Sequence, residues 1–88
     1  MPGVLRKNTD IAGGVIIAGS SKVFADGLGV VRIGDAVAPH SPGGSHNSST
    51  MAQGSSKVFA DGIAVCRSGD AATCGHTGSP GSSKVIVN

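Results

Sequence analysis

The 88-residue sequence contains no glutamate, no tryptophan and no tyrosine, and it has only two phenylalanines and two leucines. Each shortage excludes something. Glu and Leu are among the strongest helix formers, and with ten Val and six Ile in their place the apolar residues favour a pleated surface. An almost wholly β protein is expected. Two aromatics and a net charge of +2 supply neither the stacking platform nor the positive field that nucleic acid requires, so that partner is excluded. No apolar run approaches the roughly 18 residues of a membrane helix. The start MPGVLRKNTD also lacks the apolar stretch of a secretory signal, so a soluble chain made in the cytoplasm is expected. In that compartment two cysteines serve more often as thiols or metal ligands than as a disulfide. A chain this short buries only about 60% of its unfolded surface, so one domain over residues 1–88 needs stapling beyond its core.

What is abundant is Gly, Ser and Pro, 31 residues of 88, a share that signals low complexity unless it is periodic. Here it is periodic. Residues 19–36, GSSKVFADGLGVVRIGDA, match residues 54–71, GSSKVFADGIAVCRSGDA, at 14 of 18 positions. A truncated third copy starts at Gly81-Ser82-Ser83-Lys84-Val85. The N-terminus supplies its other half, because Val4-Leu5-Arg6 followed by Asp10 resembles Val30-Val31-Arg32 followed by Asp35, with one residue inserted between Arg and Asp. The chain thus divides into units of approximately 3–28, 29–63 and 64–88, a threefold object. Of its twelve charged residues, all but Lys7 fall on repeat positions, which points to structural hydrogen bonding.

Within each full repeat, Asp26-Gly27 and Asp61-Gly62 follow Lys-Val-Phe-Ala and precede an apolar stretch. A type I′ turn needs positive φ at both central residues, so these dipeptides mark hairpin tips. Alternation places Val23, Ala25, Val58 and Ala60 on one face and Lys22, Phe24, Lys57 and Phe59 on the other, with each Phe expected to anchor its hairpin. A lone hairpin is marginal in water, and three about an axis would bury their apolar faces together. Ser20, Ser55 and Ser82 precede strands, where hydroxyls satisfy turn backbone.

The copies differ in the segments that join each Arg-Asp element to the next Gly-Ser-Ser. The first, Ile11 to Ala18, is apolar; the second holds His40 and His46; the third holds Cys74 and His76. Three imidazoles and one thiolate make a complete tetrahedral set for structural zinc. The spacings match no zinc-finger pattern, so convergence has to come from the fold. Cys66 aligns with Val31, an apolar strand position, and reads as a buried small hydrophobe, which leaves Cys74 as the ligand candidate. Two alternatives stand beside zinc: solvated loop histidines with a spare thiol, and a disulfide between Cys66 and Cys74.

Catalysis finds little support. There is no Gly-x-Ser-x-Gly elbow, Gly-Ser-Ser-Lys has Lys in the wrong place for a phosphate-binding loop, and every Asp is a repeat position. No catalytic residue, small-molecule substrate or organic cofactor is expected.

Met1-Pro2, the repeated Val-x-Arg-x-Gly-Asp, the hairpins tipped by Asp-Gly and the terminal Gly-Ser-Ser-Lys-Val together resemble the PAAR-repeat proteins over essentially the whole chain. The Pro-Ala-Ala-Arg tetrapeptide itself is not kept: Arg32 follows Val-Val and Arg67 follows Val-Cys. The resemblance implies an all-β, small conical, pseudo-threefold assembly of hairpins. It implies a zinc ion near the apex, one per chain, and His40, His46, Cys74 and His76 fit the family's ligand set of three histidines and one cysteine. It further implies a non-enzymatic tip that caps a homotrimeric β-helical spike, one monomer per trimer, and sharpens it for membrane piercing in a type VI secretion system or contractile phage tail. Such a tip is cytoplasmic when made, then joins the injection apparatus or a virion and contacts the target membrane transiently. Many relatives carry fused toxic effectors, and over these 88 residues none is expected. The alternative is a small zinc-stabilised adaptor that binds another partner by strand pairing.

Overall fold

The structure is a computed structural model that describes residues 3–39 and 49–87. Among those residues no helix occurs, in line with the scarcity of helix formers. Regular strands are very short: β1 (Ile11–Ala12) pairs with β2 (Gly14–Val15), β3 (Phe24–Ala25) with β4 (Leu28–Gly29), and β5 (Phe59–Ala60) with β6 (Ile63–Ala64), all antiparallel. Most of the remaining backbone is tied by isolated antiparallel bridges between units.

The Asp-Gly tips behave as the turn chemistry requires. Asp26 and Asp61 both have φ 56°, and Gly27 and Gly62 both have φ 78°, the left-handed pair of a type I′ turn. Ala25 pairs with Leu28 and Ala60 with Ile63, which closes two-residue loops. The third hairpin is split between the two halves of the chain. Gly3 bridges Ile86, and the Val4 N–H donates to Val85 C=O at 2.9 Å, as Val30 donates to Val23 at 3.0 Å and Val65 to Val58 at 3.1 Å.

The joining segments, which share no sequence, share a backbone plan. Ile11 pairs with Val15, Ala36 with Thr50 and Ala71 with Thr77, so each segment is itself a hairpin stem carrying a loop of different length. These stems also link cyclically: Ile17 donates to Ala36, Ala52 to Ala71 and Ser79 to Ile11, each at 2.9 Å. Below them a second cycle pairs Arg6 with Val30, Arg32 with Val65 and Val4 with Arg67. Closed rings of this kind leave no unit free to peel away. The molecule measures 32 × 23 × 22 Å, with two nearly equal cross-axes, the proportions of a body built around one line.

Two clusters fill the interior. One gathers Leu5, Ala12, Ile16, Val31, Val37, Met51, Cys66 and Ala72; the other gathers Val4, Ala25, Val30, Ala60, Val65 and Val87. Repeat-equivalent residues occupy equivalent places in each: Leu5, Val31 and Cys66 are all fully buried in the first, and Val4, Val30 and Val65 are all buried in the second.

The expected aromatic anchors are not anchors. Phe24 and Phe59 are each 57% exposed, while their neighbours Ala25 and Ala60 are buried. The inward positions of both hairpins go to alanine: Ala25 and Ala60 lie in the second interior cluster, on the strand face opposite to the one each Phe occupies. The lysine half of the charge pattern also departs from expectation: Lys22, Lys57 and Lys84 stand exposed.

Candidate functional site

The charged repeat positions build a ring of clamps. In each unit the arginine backbone N–H donates to its own unit's aspartate at 2.7 Å, for Arg6 with Asp10, Arg32 with Asp35 and Arg67 with Asp70. The guanidinium then wraps the same carboxylate through Nε and Nη2, at 2.9 Å for both contacts in Arg6 and in Arg67. All three carboxylates are buried, so each charge is removed from water only with its hydrogen bonds satisfied. Hydrogen bonding to the aspartates holds all three guanidinium groups above the ordinary arginine range.

The turn of each clamp needs a left-handed residue. Gly34 and Gly69 supply it at φ 92° and 95°, and in the first unit, where one residue is inserted, Asn8 does so at φ 62°.

Arginine Nη1 reaches the hairpin tip of its own unit, where a serine of a different unit meets the same carboxylate. Arg6 donates to Asp26 at the first hairpin tip and Arg32 to Asp61 at the second, both at 3.0 Å. Ser82 Oγ donates to Asp26 at 2.8 Å and Ser20 Oγ to Asp61 at 2.7 Å. Each of these hydroxyls also accepts the backbone N–H groups two and three residues on, the turn role expected of the repeated serines. The donation from Ser82, followed by that from Arg6, holds the Asp26 carboxyl below the usual carboxylate range. Regular charge spacing indicated that these residues were structural. It carried no signal of which side chains meet, because partners 20 to 56 residues apart leave no local pattern.

Of the four candidate metal ligands, Cys74 and His76 lie within the described residues and are brought together. They sit on the third joining hairpin, whose loop is turned by Gly75 at φ 95° and closed by the Ala72 N–H donating to His76 C=O at 2.8 Å. Cys74 Sγ stands 3.7 Å from His76 Nδ1 and 4.0 Å from the Ala12 carbonyl of the first joining hairpin. Sulfur and nitrogen bound to one tetrahedral zinc, at about 2.3 and 2.0 Å, would be about 3.5 Å apart. The observed separation therefore fits a shared ion.

His40 and His46 lie outside the described residues. The stem that carries them is described, and it abuts the Cys74 hairpin: Thr73 N–H donates to Thr50 C=O at 2.8 Å, and Thr50 N–H donates to Thr73 Oγ1 at 3.1 Å. Among the described residues no group of three or more His, Cys, Asp or Glu is arranged to hold a metal. Sequence reasoning also passed over Ser49 at this stem, whose Oγ is buried and has no hydrogen-bond partner among the described residues.

Cys66 has the environment of a core residue. It is fully buried among Leu5, Val31 and Met51, and burial, with Asp70 and Asp35 adding, pushes its thiol up to about 12. No disulfide joins it to Cys74, so the disulfide alternative is not what the structure contains.

Compared with known protein families, residues 8–77 match the family model described as PAAR motif. No curated protein matches the chain.

Proposed function

The chain belongs to the PAAR-motif family, and from that premise we propose that it is a non-enzymatic tip that caps a homotrimeric β-helical spike in a contractile injection machine, one chain per trimer. The observation that carries this reading is the pair of closed backbone cycles, which give one polypeptide three near-equivalent sides. A trimer's end offers three identical surfaces about an axis, and a single chain meets all three only if it repeats itself at the same angles. Phe24, Phe59 and Ile86 occupy one repeat position and are 57%, 57% and 45% exposed, so each side presents an apolar contact of the same placement.

In this reading one zinc ion is held by Cys74, His76, His40 and His46. The Cys74 and His76 spacing supports it, and the donor set of one thiolate and three imidazoles suits zinc. Zinc supplies mechanical cross-linking: it ties the second joining segment to the third. Cys74 and His76 present their donors from a loop whose base is already fixed by Thr50 and Thr73, so little ordering is left for the metal to impose. The tip joins the injection apparatus and meets the target membrane during firing.

Co-elution with a homotrimeric spike tests the reading. The triple variant Phe24→Ser, Phe59→Ser, Ile86→Ser is expected to stay folded and to lose co-elution. Undiminished binding by the folded variant would overturn the docking surface.

A further inference from the structure

Repetition allows the protein to be compared with itself. Twice, a hairpin-tip carboxylate is received by one arginine Nη1 and one serine Oγ: Asp26 by Arg6 and Ser82, and Asp61 by Arg32 and Ser20. Cyclic order makes Arg67 and Ser55 the third pair of donors. The repeat register places no third aspartate with them, because Asn88 stands where Asp26 and Asp61 stand. Asn88 itself lies outside the described residues.

Both donors are held as in the filled copies. Arg67 commits Nε and Nη2 to Asp70 at 2.9 Å each, which leaves Nη1, the atom that takes the carboxylate elsewhere. Ser55 is 2% exposed, and its Oγ accepts from the Lys57 and Val58 N–H groups at 3.0 Å each. Its hydroxyl proton is then left for an outside acceptor. Among the described residues none meets it, and none meets Arg67 Nη1. The Arg67 side chain is also the most open of the three, at 26% exposed against 15% for Arg6 and 20% for Arg32.

We infer that Ser55 and Arg67 form a carboxylate receptor on the split hairpin, and that it takes an aspartate or glutamate side chain of a docking protein. The ligand class follows from the two filled copies, where two donors converge on a single carboxylate oxygen, and a charged acceptor makes the stronger bond to guanidinium. The receptor gives a threefold body one distinguishable side. A protein bound through it is fixed at one of three otherwise equivalent rotations.

Sodium acetate, titrated at constant ionic strength into the full chain and followed by NMR of the arginine Nε–H groups, tests the receptor. A saturable shift of Arg67 is expected, with Arg6 and Arg32 unmoved. Asn88→Asp is expected to abolish that response and to raise Tm by roughly 2–6 °C, a gain that disappears in an Arg67→Gln background. Equal responses from all three arginines, no response from Arg67, or a Tm gain indifferent to Arg67→Gln would each overturn the receptor. A response that appears only when Gly-Gly is added after Asn88 would identify the ligand as a carboxylate of the chain's own end and overturn the docking assignment.

Discussion

Gly78 lies directly against Leu5: a Cβ at position 78 would collide with Leu5 Cδ1. The backbone equivalents of Gly78 are Ile16 and Met51, since all three N–H groups donate to the aspartate carbonyl of their own unit. Leu5 in turn is equivalent to Val31 and Cys66. The first unit's larger residue thus takes up part of the space that Gly78 gives up. Gly78→Ala is expected to cost about 1–3 kcal/mol in denaturant unfolding. Leu5→Val added to it should recover part of that loss, a coupling of at least about 0.5 kcal/mol. Additive losses would show that the two positions do not share space.

The two cysteines should part company. Cys74→Ser is expected to release zinc, read by elemental analysis, and to lower stability, since metal binding in small domains is folding free energy. Cys66→Val should keep the metal, because it restores the residue of the equivalent position. It should also change the alkaline behaviour. The Cys66 thiol is raised in the folded state to about 12, so its contribution is complete below the ordinary cysteine value of about 8.5 and is lost as pH rises towards 12. An unfolding series between pH 8 and 11 should decline less in Cys66→Val than in the parent; equal declines would contradict the buried-thiol assignment.

The two classes of aspartate should differ in weight. Asp10 is fully buried in its clamp, and Asp10→Ala leaves Arg6 with only the outer Asp26 and strips the Arg6 and Gly81 backbone N–H groups of their acceptor, at a cost of about 3–5 kcal/mol. Asp26 is open to solvent and its pair is screened by salt, so Asp26→Asn should cost much less. Because its carboxyl is depressed, the Asp26 contribution is complete above the usual carboxylate value of about 3.9 and disappears as pH falls through the lower folded value. The acid limb of the stability profile should flatten in Asp26→Asn and should keep its shape in Lys22→Ala.

Single replacements of Phe24 or Phe59 by Ser are expected to shift unfolding by about 0.5 kcal/mol or less, as surface substitutions do. A loss of several kcal/mol would mean that the rings pack inward after all.

Much of the fold was legible because turns have strict chemistry. Asp26-Gly27 and Asp61-Gly62 fixed two hairpins, and the displaced halves around Gly3 and Ile86 disclosed the split third. The alignment of Cys66 with Val31 placed it in the core and left Cys74 as the ligand candidate, which stands beside His76. Three features were hidden. The joining hairpins share only backbone pairing, which has no residue signature when Ile11, Ala36 and Ala71 are equivalent. Alternation separates Phe24 from Ala25 but does not say which side faces inward, and it is Ala25 and Ala60 that the second cluster takes in. The bonds from Ser82 to Asp26 and from Ser20 to Asp61 depend on the cyclic order of units, which exists only once the chain has closed.

The native mass of a purified complex with a homotrimeric spike is the most direct test of a threefold single-chain cap. One chain per three spike chains, with one zinc, is the predicted composition. A complex carrying one chain on each spike subunit, or none at all, would contradict it.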